Sequence, residues 1–202
     1  GEQFAYYNVA QMIGSTGIVL ASQTKQKLVP FGEYLPGEKS FPFLRDWLPN
    51  ARRYLPGDKL NLFPGLEGSS ILAAICYEIG FEPILKKALE SGARVVWNPV
   101  NDGWFPYSMA AWHKALAQFR SAEMGLPLIR ISNSGYSVIA GERGVVLQTG
   151  EWNQSVAKTV KIPVPEHAGP RLHIAEIVRW AILGWVLLDV GLGLLLRRSQ
   201  ED

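Results

Sequence analysis

A short apolar run, Ile71-Leu72-Ala73-Ala74-Ile75, stops at Cys76, and from Phe81 the pattern turns helical. That switch of period limits what the chain can fold into. An apolar run of this length bounded by a turn reads as a buried strand. Strand, sharp turn and helix together make the repeating unit of an α/β sheet. The turn carries Cys76, Tyr77, Glu78 and Gly80, and Cys76 is the only cysteine of the chain. A sulfur on such a turn is exposed, and the N–H groups at the start of the following helix favour a thiolate. A lone cysteine also serves as a small buried hydrophobe. The nucleophile reading therefore depends on what flanks it.

Upstream, residues 4–13 are aromatic and β-branched, Gly14-Ser15-Thr16-Gly17 is a turn, and residues 18–22 return, which predicts a hairpin. Lys25 then opens a stretch that runs Leu28-Val29-Pro30-Phe31-Gly32-Glu33-Tyr34-Leu35-Pro36. Its prolines and glycine forbid a regular element, so it is an ordered loop with a lysine at one end and a glutamate eight residues on. Composition alone reads these two as a solvated pair. Residues 41–64 continue as irregular, aromatic-rich chain with four prolines, long enough for a functional loop or lid whose aromatics fill a core or meet lipid.

Downstream, a helix is expected over residues 81–90 and a buried strand over residues 94–98. The strand runs into the polar, turn-rich Asn101-Asp102-Gly103-Trp104-Phe105, at the strand end where α/β sheets place ligands. Ser108 is placed to cap a helix that reaches Glu123, with Met109, Trp112, Leu116 and Phe119 along one stripe. His113 on this helix reads as packed or hydrogen-bonded rather than catalytic. Four strands follow, over residues 128–132, 137–140, 145–149 and 156–164, so the body alternates strands and helices around a sheet with hairpins at both ends.

The 202 residues suffice for one core, and a net charge of +2 gives no ground for a nucleic-acid partner. One cysteine excludes an internal disulfide framework. Seven tryptophans and a mean hydropathy of +0.04 are high for a purely soluble domain, and the cause lies at the C-terminus. Residues 178–196 are apolar apart from Arg179 and Asp189 and are followed by Arg197 and Arg198. This predicts a transmembrane helix with the arginines on the cytoplasmic side and the body on the outer face. Asp189 stands against the span unless it faces a bundle interior.

Together, Lys25 with the residue 28–36 loop, Ile75-Cys76-Tyr77-Glu78, residues 101–105 and residues 130–135 resemble the nitrilase (carbon–nitrogen hydrolase) superfamily, and within it the apolipoprotein N-acyltransferase branch. The likeness runs unbroken over residues 4–164. It implies an α/β fold, the C-terminal part of a nitrilase-like αββα sandwich over residues 1–165. A linker, one transmembrane helix and a polar tail then occupy residues 166–202. It further implies a Glu–Lys–Cys triad with Cys76 as nucleophile and Lys25 as the lysine, Glu33 as a second essential glutamate, and Tyr77, Glu78 and Trp104 around the substrate and oxyanion. The activity implied is transfer of an acyl chain from a phospholipid to the diacylglyceryl-cysteine of a prolipoprotein, with no metal or cofactor, at the bacterial inner membrane on its periplasmic face. The family's triad glutamate belongs to a Trp-Pro-Glu-Thr-like motif well upstream of the lysine. Only 24 residues precede Lys25 here and none carries that motif. The chain is thus expected to be the later part of a longer protein and inert by itself. Two other readings stay open: a nitrilase-type amidase using the same triad, and a catalytically incomplete fragment that binds lipid or a partner.

Overall fold

The computed structural model describes residues 6–48, 52–65, 68–166, 169, 177–178 and 180–189. Its centre is a mixed sheet of six strands in the order β3-β4-β5-β6-β7-β8: β3 Leu62–Pro64, β4 Ser70–Ala73, β5 Ala93–Val100, β6 Leu128–Ser132, β7 Ser137–Ala140 and β8 Val146–Gly150. The middle pairs β4–β5 and β5–β6 are parallel, and the outer three are antiparallel. Parallel neighbours need a crossover. The 3₁₀ turn Cys76–Gly80 with α2 (Glu82–Glu90) supplies the first, and α3 (Tyr107–Met124) the second. A separate antiparallel hairpin joins β1 (Val9–Ile13) to β2 (Val19–Thr24), and α1 is the single turn Leu44–Trp47.

Alternation along β4 decides the layers. Leu72 and Ala74 point to one face, where they meet Leu85, Ala88 and Leu89 of α2, Ala117 and Met124 of α3, and Val96, Leu128 and Val138 of the sheet. Ile71, Ala73 and Ile75 point to the other, where Ala10, Met12 and Ala21 of the hairpin close over them with Phe63 and Trp97. Each fully buried Leu contributes about 1.5–3 kcal/mol. The helices thus cover one face of β4 and β5 and the hairpin covers the other, with Cys76, three residues beyond β4, packed beside the hairpin layer.

The observed elements depart from the sequence reading in four places. The α3 N-cap is Pro106, not Ser108, and it makes no side-chain cap. The face that α3 buries is Ala110, His113, Ala117, Ser121 and Met124, whereas Met109, Trp112 and Phe119 are exposed. Small side chains on the buried face let the helix approach the sheet closely. Residues 156–164 form no strand, Val156 and Val164 are exposed, and β8 is the edge of the sheet among the described residues. Finally, residues 177–189, apart from the undescribed position 179, are helical, yet among the described residues no helix is long and apolar enough to cross a membrane. The remainder of the expected span, residues 190–196, lies outside the described residues, as do residues 4 and 5 of the expected first strand.

Candidate active site

Cys76 is the first residue of the 3₁₀ turn and takes a positive φ of 54°. Residues with a Cβ seldom enter this left-handed region, and they persist there only where the surroundings fix them. Its free thiol opens on a cavity of about 740 Å³, whose lining includes Tyr7, Glu33, Trp97, Trp104 and Phe105. The backbone amides of Tyr77 and Asn101 favour the ionised sulfur.

Above the sulfur stands the loop that begins at Lys25. Backbone bonds from Lys25 N to Asn8 O (2.8 Å) and from Gly57 N to Lys25 O (2.8 Å) fix this residue at the end of β2. A Cβ on Gly57 would sit 2.7 Å from Thr24 O, so only glycine lets the two segments pass. Lys25 is fully buried, and its Nζ lies 2.8 and 2.7 Å from the two carboxylate oxygens of Glu33. Glu33 also accepts from Val29 N–H (2.9 Å) and from Asn8 Nδ2 (3.2 Å). With every acceptor direction engaged, Glu33 orients Lys25. It is also the only carboxylate among the described residues that line the cavity. The solvated reading of this pair is therefore corrected: both residues are buried and joined.

Glu78 points away from the cavity. One oxygen accepts from Gln26 N–H (2.5 Å) and Lys27 N–H (3.1 Å), and the other from Ile75 N–H (2.8 Å). It ties the Lys25 loop to the cysteine turn. Burial pushes its carboxyl above the ordinary 4.5, against the pull of those amides and of Lys25. Burial likewise raises the Cys76 thiol above the ordinary 9.0, and the Lys25 charge is the largest influence opposing it. This corrects the expectation of a thiolate favoured by the turn. Desolvation outweighs the Lys25 charge and the backbone donors, and the turn is one short 3₁₀ segment rather than a long helix start. Tyr77 stacks edge-on to Phe81 at 5.0 Å, and Trp104 is half exposed with the Arg52 guanidinium 4.8 Å over its ring.

Sequence reasoning missed a polar layer below the sulfur. Asn98, Asp102 and Arg130 are fully buried, and His113 is nearly so. Asp102 accepts from Arg130 Nη2 (2.7 Å) and Ser132 Oγ (3.0 Å), and His113 Nδ1 lies 3.2 Å from its other oxygen. Burial pushes the Asp102 carboxyl up, but His113, Arg130 and Ser132 together pull it below the ordinary 3.8. Burial lowers the Arg130 guanidinium against the pull of Asp102. The one signal available was Asp102 and Asn98 in a polar segment at the end of an apolar strand.

Residues 1–165 match the carbon-nitrogen hydrolase family. Over 145 residues the chain is 32% identical to the apolipoprotein N-acyltransferase of Geobacter metallireducens, a match covering 71% of this chain and 28% of that protein. Against the apolipoprotein N-acyltransferase of Allorhizobium ampelinum the identity is 37% over 146 residues, with 70% and 27% covered. The chain spans less than a third of the length of these curated relatives. In fold it is similar to Saccharomyces cerevisiae Nit3, a member of branch 10 of the nitrilase superfamily, with a TM-score of 0.56 at 16% identity over 74% of this chain and 51% of that one. It is also similar to an amidase from Nesterenkonia sp. carrying the acetamide moiety of fluoroacetamide at its active-site cysteine. Here the TM-score is 0.52 at 22% identity, over 72% and 51%. The described fold is therefore that of a nitrilase-like α/β fragment with a mixed sheet.

Proposed function

Because the chain belongs to the carbon-nitrogen hydrolase family, we propose that it carries the nucleophile and lysine of a thiol acyltransferase of the apolipoprotein N-acyltransferase type. One observation carries this reading: a free thiol on a left-handed turn faces a cavity beside a buried Lys25–Glu33 pair. In the first half-reaction the Cys76 sulfur attacks the ester carbonyl of a phospholipid. The C–S bond forms, the C–O bond breaks, and the lysophospholipid leaves with the proton of the thiol. Lys25 and the Tyr77 N–H are the donors available to the oxyanion. In the second half the α-amine of a diacylglyceryl-cysteine attacks the thioester, forming C–N and releasing the thiol. A carboxylate base must hold the protons in transit. Glu33, fully engaged by Lys25, Val29 and Asn8, is a positioning group, and so is Glu78. The base is the glutamate that the family carries upstream of its lysine.

Substrate delivery from a membrane is supported by the apolar side chains that the described helix at 177–189 exposes, among them Trp180, Leu183, Trp185 and Leu187. Trp47 and Phe43 on the long loop are exposed in the same manner. We place the protein at the bacterial inner membrane with the sheet on its outer face.

The test uses the protein expressed from its complete gene in micelles with phosphatidylethanolamine. Mass spectrometry is expected to find an acyl thioester on Cys76 together with released lysophospholipid, and then the acyl chain on a diacylglyceryl peptide. Release of ammonia from small amides with no lipid thioester would replace this reading with that of an amidase.

A further inference from the structure

Cys76 holds a backbone conformation that an L-residue leaves unless something holds it there. Its sulfur faces the cavity beside the backbone amides of Tyr77 and Asn101. The restraint is on its carbonyl, which is met from below by two side chains: Asn98 Nδ2 at 3.1 Å and His113 Nε2 at 3.3 Å. A carbonyl and a carboxylate only accept, so the two contacts are made together by the ring form that donates from both Nε2 and Nδ1. Both side chains are themselves fixed, and by the same residue. Arg130 Nη1 donates to Asn98 Oδ1 at 2.8 Å, which turns the amide so that Nδ2 faces the carbonyls of Ala74 (2.6 Å) and Cys76. Arg130 Nη2 donates to Asp102, which in turn stands against His113 Nδ1. Arg130 Nε closes the arrangement on Tyr136 O at 3.2 Å. A guanidinium has donors only, in a rigid planar fork, so neither arm can reverse without leaving a buried group unpaired.

We propose that Arg130, through Asn98 on one arm and through Asp102 and His113 on the other, clamps the Cys76 carbonyl and so maintains the left-handed backbone that aims the sulfur into the cavity. These are positioning residues. None of the four lines the cavity or touches the sulfur. The clamp joins β5, α3 and β6 to the nucleophile, so helix and sheet position one atom together. With the clamp released, the backbone of residue 76 returns to a negative φ, and its Cα–Cβ bond swings away from the cavity mouth.

The inference rests on Cys76 as the reacting group of the proposed function, but its test needs no acyl donor, so failure of acyl transfer and failure of the clamp are read separately. The measurement is the rate of Cys76 alkylation by iodoacetamide in the full chain at fixed pH, with circular dichroism following the fold. His113→Leu and Arg130→Met are each expected to slow alkylation by about tenfold or more, as misplaced reacting groups do. His113→Gln, which keeps an N–H of similar reach, is expected to stay within about threefold of the parent. General unfolding moves the reading the other way, because the half-buried thiol then reacts as fast as in denaturant. Alkylation at the parent rate by folded His113→Leu and Arg130→Met chains overturns the clamp. Where those variants do not fold, Cys76→Gly and Cys76→Ala decide. Glycine takes a positive φ freely, so Cys76→Gly is expected to unfold at higher urea than Cys76→Ala and to lose that advantage once His113→Asn shortens one arm. Equal stability of the glycine and alanine variants in the parent background overturns the proposal as well.

Discussion

Two buried carboxylates flank Cys76, and they are built in different ways. Glu33 sits on a loop, shares one lysine, and draws its remaining donors from the backbone of that loop and from Asn8. Asp102 sits at the end of the central strand, between an arginine from the neighbouring strand and a histidine from the crossover helix. The first cluster reaches the sulfur through the charge of Lys25. The second reaches the backbone that bears the sulfur. The first cluster is built on a loop, and the second on a strand end and a helix. A reactive cysteine needs both, because a charge beside a misdirected sulfur does nothing, and a well-aimed thiol with a raised pKa is a poor nucleophile at neutral pH.

The comparison breaks at once if the sulfur is not what both clusters serve. Cys76→Ala is expected to abolish covalent labelling of the chain by thiol probes and, in the complete protein, the acyl thioester. Any thioester surviving in that variant would remove the premise. The next largest effect belongs to the lower cluster. Removing one partner from a buried charge network costs about 3–5 kcal/mol, so Asp102→Leu is expected to lower the unfolding midpoint steeply. Gly135→Ala should do much the same without touching a charge, since its new Cβ would lie 2.6 Å from Asp102 Cβ. A Gly135→Ala chain of parental stability would mean that Asp102 can shift at little cost.

Much of this was legible. The period switch at Cys76 and Phe81, the crossover helices and both hairpins follow from patterns that local physics enforces, and the strand residues 128–132 and 137–140 fall where expected. The Lys25 loop was recognised by its family likeness, but its burial was not. Nothing in a Lys and a Glu eight residues apart states that a hairpin and a glycine at position 57 will enclose them. The face of α3 was misjudged for a related reason. Met109, Trp112 and Phe119 outrank Ala110, Ala117 and Ser121 in hydrophobicity, whereas the sheet selects what fits closely against it. Arg130 was read only as part of a motif. Asn98 of β5, Asp102 just beyond that strand and Tyr136 just before β7 converge on it, a relation that exists only in the tertiary structure.

The two clusters are also expected to differ in their response to pH. Asp102 has a folded pKa below its ordinary 3.8. The stability it contributes is complete above that ordinary value and is lost as pH falls through the folded value. Asp102→Asn should therefore flatten the acid limb of the stability curve. Glu78 has the opposite sign. Its folded pKa lies above the ordinary 4.5, so it weakens the fold as pH rises from there through the folded value, and Glu78→Gln should remove that loss. On the upper side of the sulfur, Lys25→Met withdraws the largest influence that lowers the Cys76 thiol. The pH profile of Cys76 alkylation should move to higher pH with its plateau unchanged. A lowered plateau at an unshifted midpoint would make Lys25 a scaffold rather than a charge.

The smallest effect is expected where charges pair outside both clusters. Glu38 receives Arg45 on one side and Arg53 Nη2 at 2.8 Å on the other, with all three side chains partly exposed to solvent. The side-chain bond from Arg45 is the largest of the influences that hold its carboxyl below the ordinary 4.5. The sign matches that of Asp102: the contribution is present above the ordinary value and is lost as pH falls through the folded one. The size should not match. Water screens these charges and salt screens them further, and exposed pairs contribute about 0–1 kcal/mol. Glu38→Gln is accordingly expected to shift the urea midpoint slightly in low salt and not at all in about 1 M salt, where the Debye length is about 3 Å. The Asp102→Asn effect should persist at both ionic strengths, because no salt reaches a carboxylate buried between strand and helix. If salt erased both effects equally, burial would not be what distinguishes the lower cluster from the surface, and the assignment of placement to that cluster would lose its physical basis.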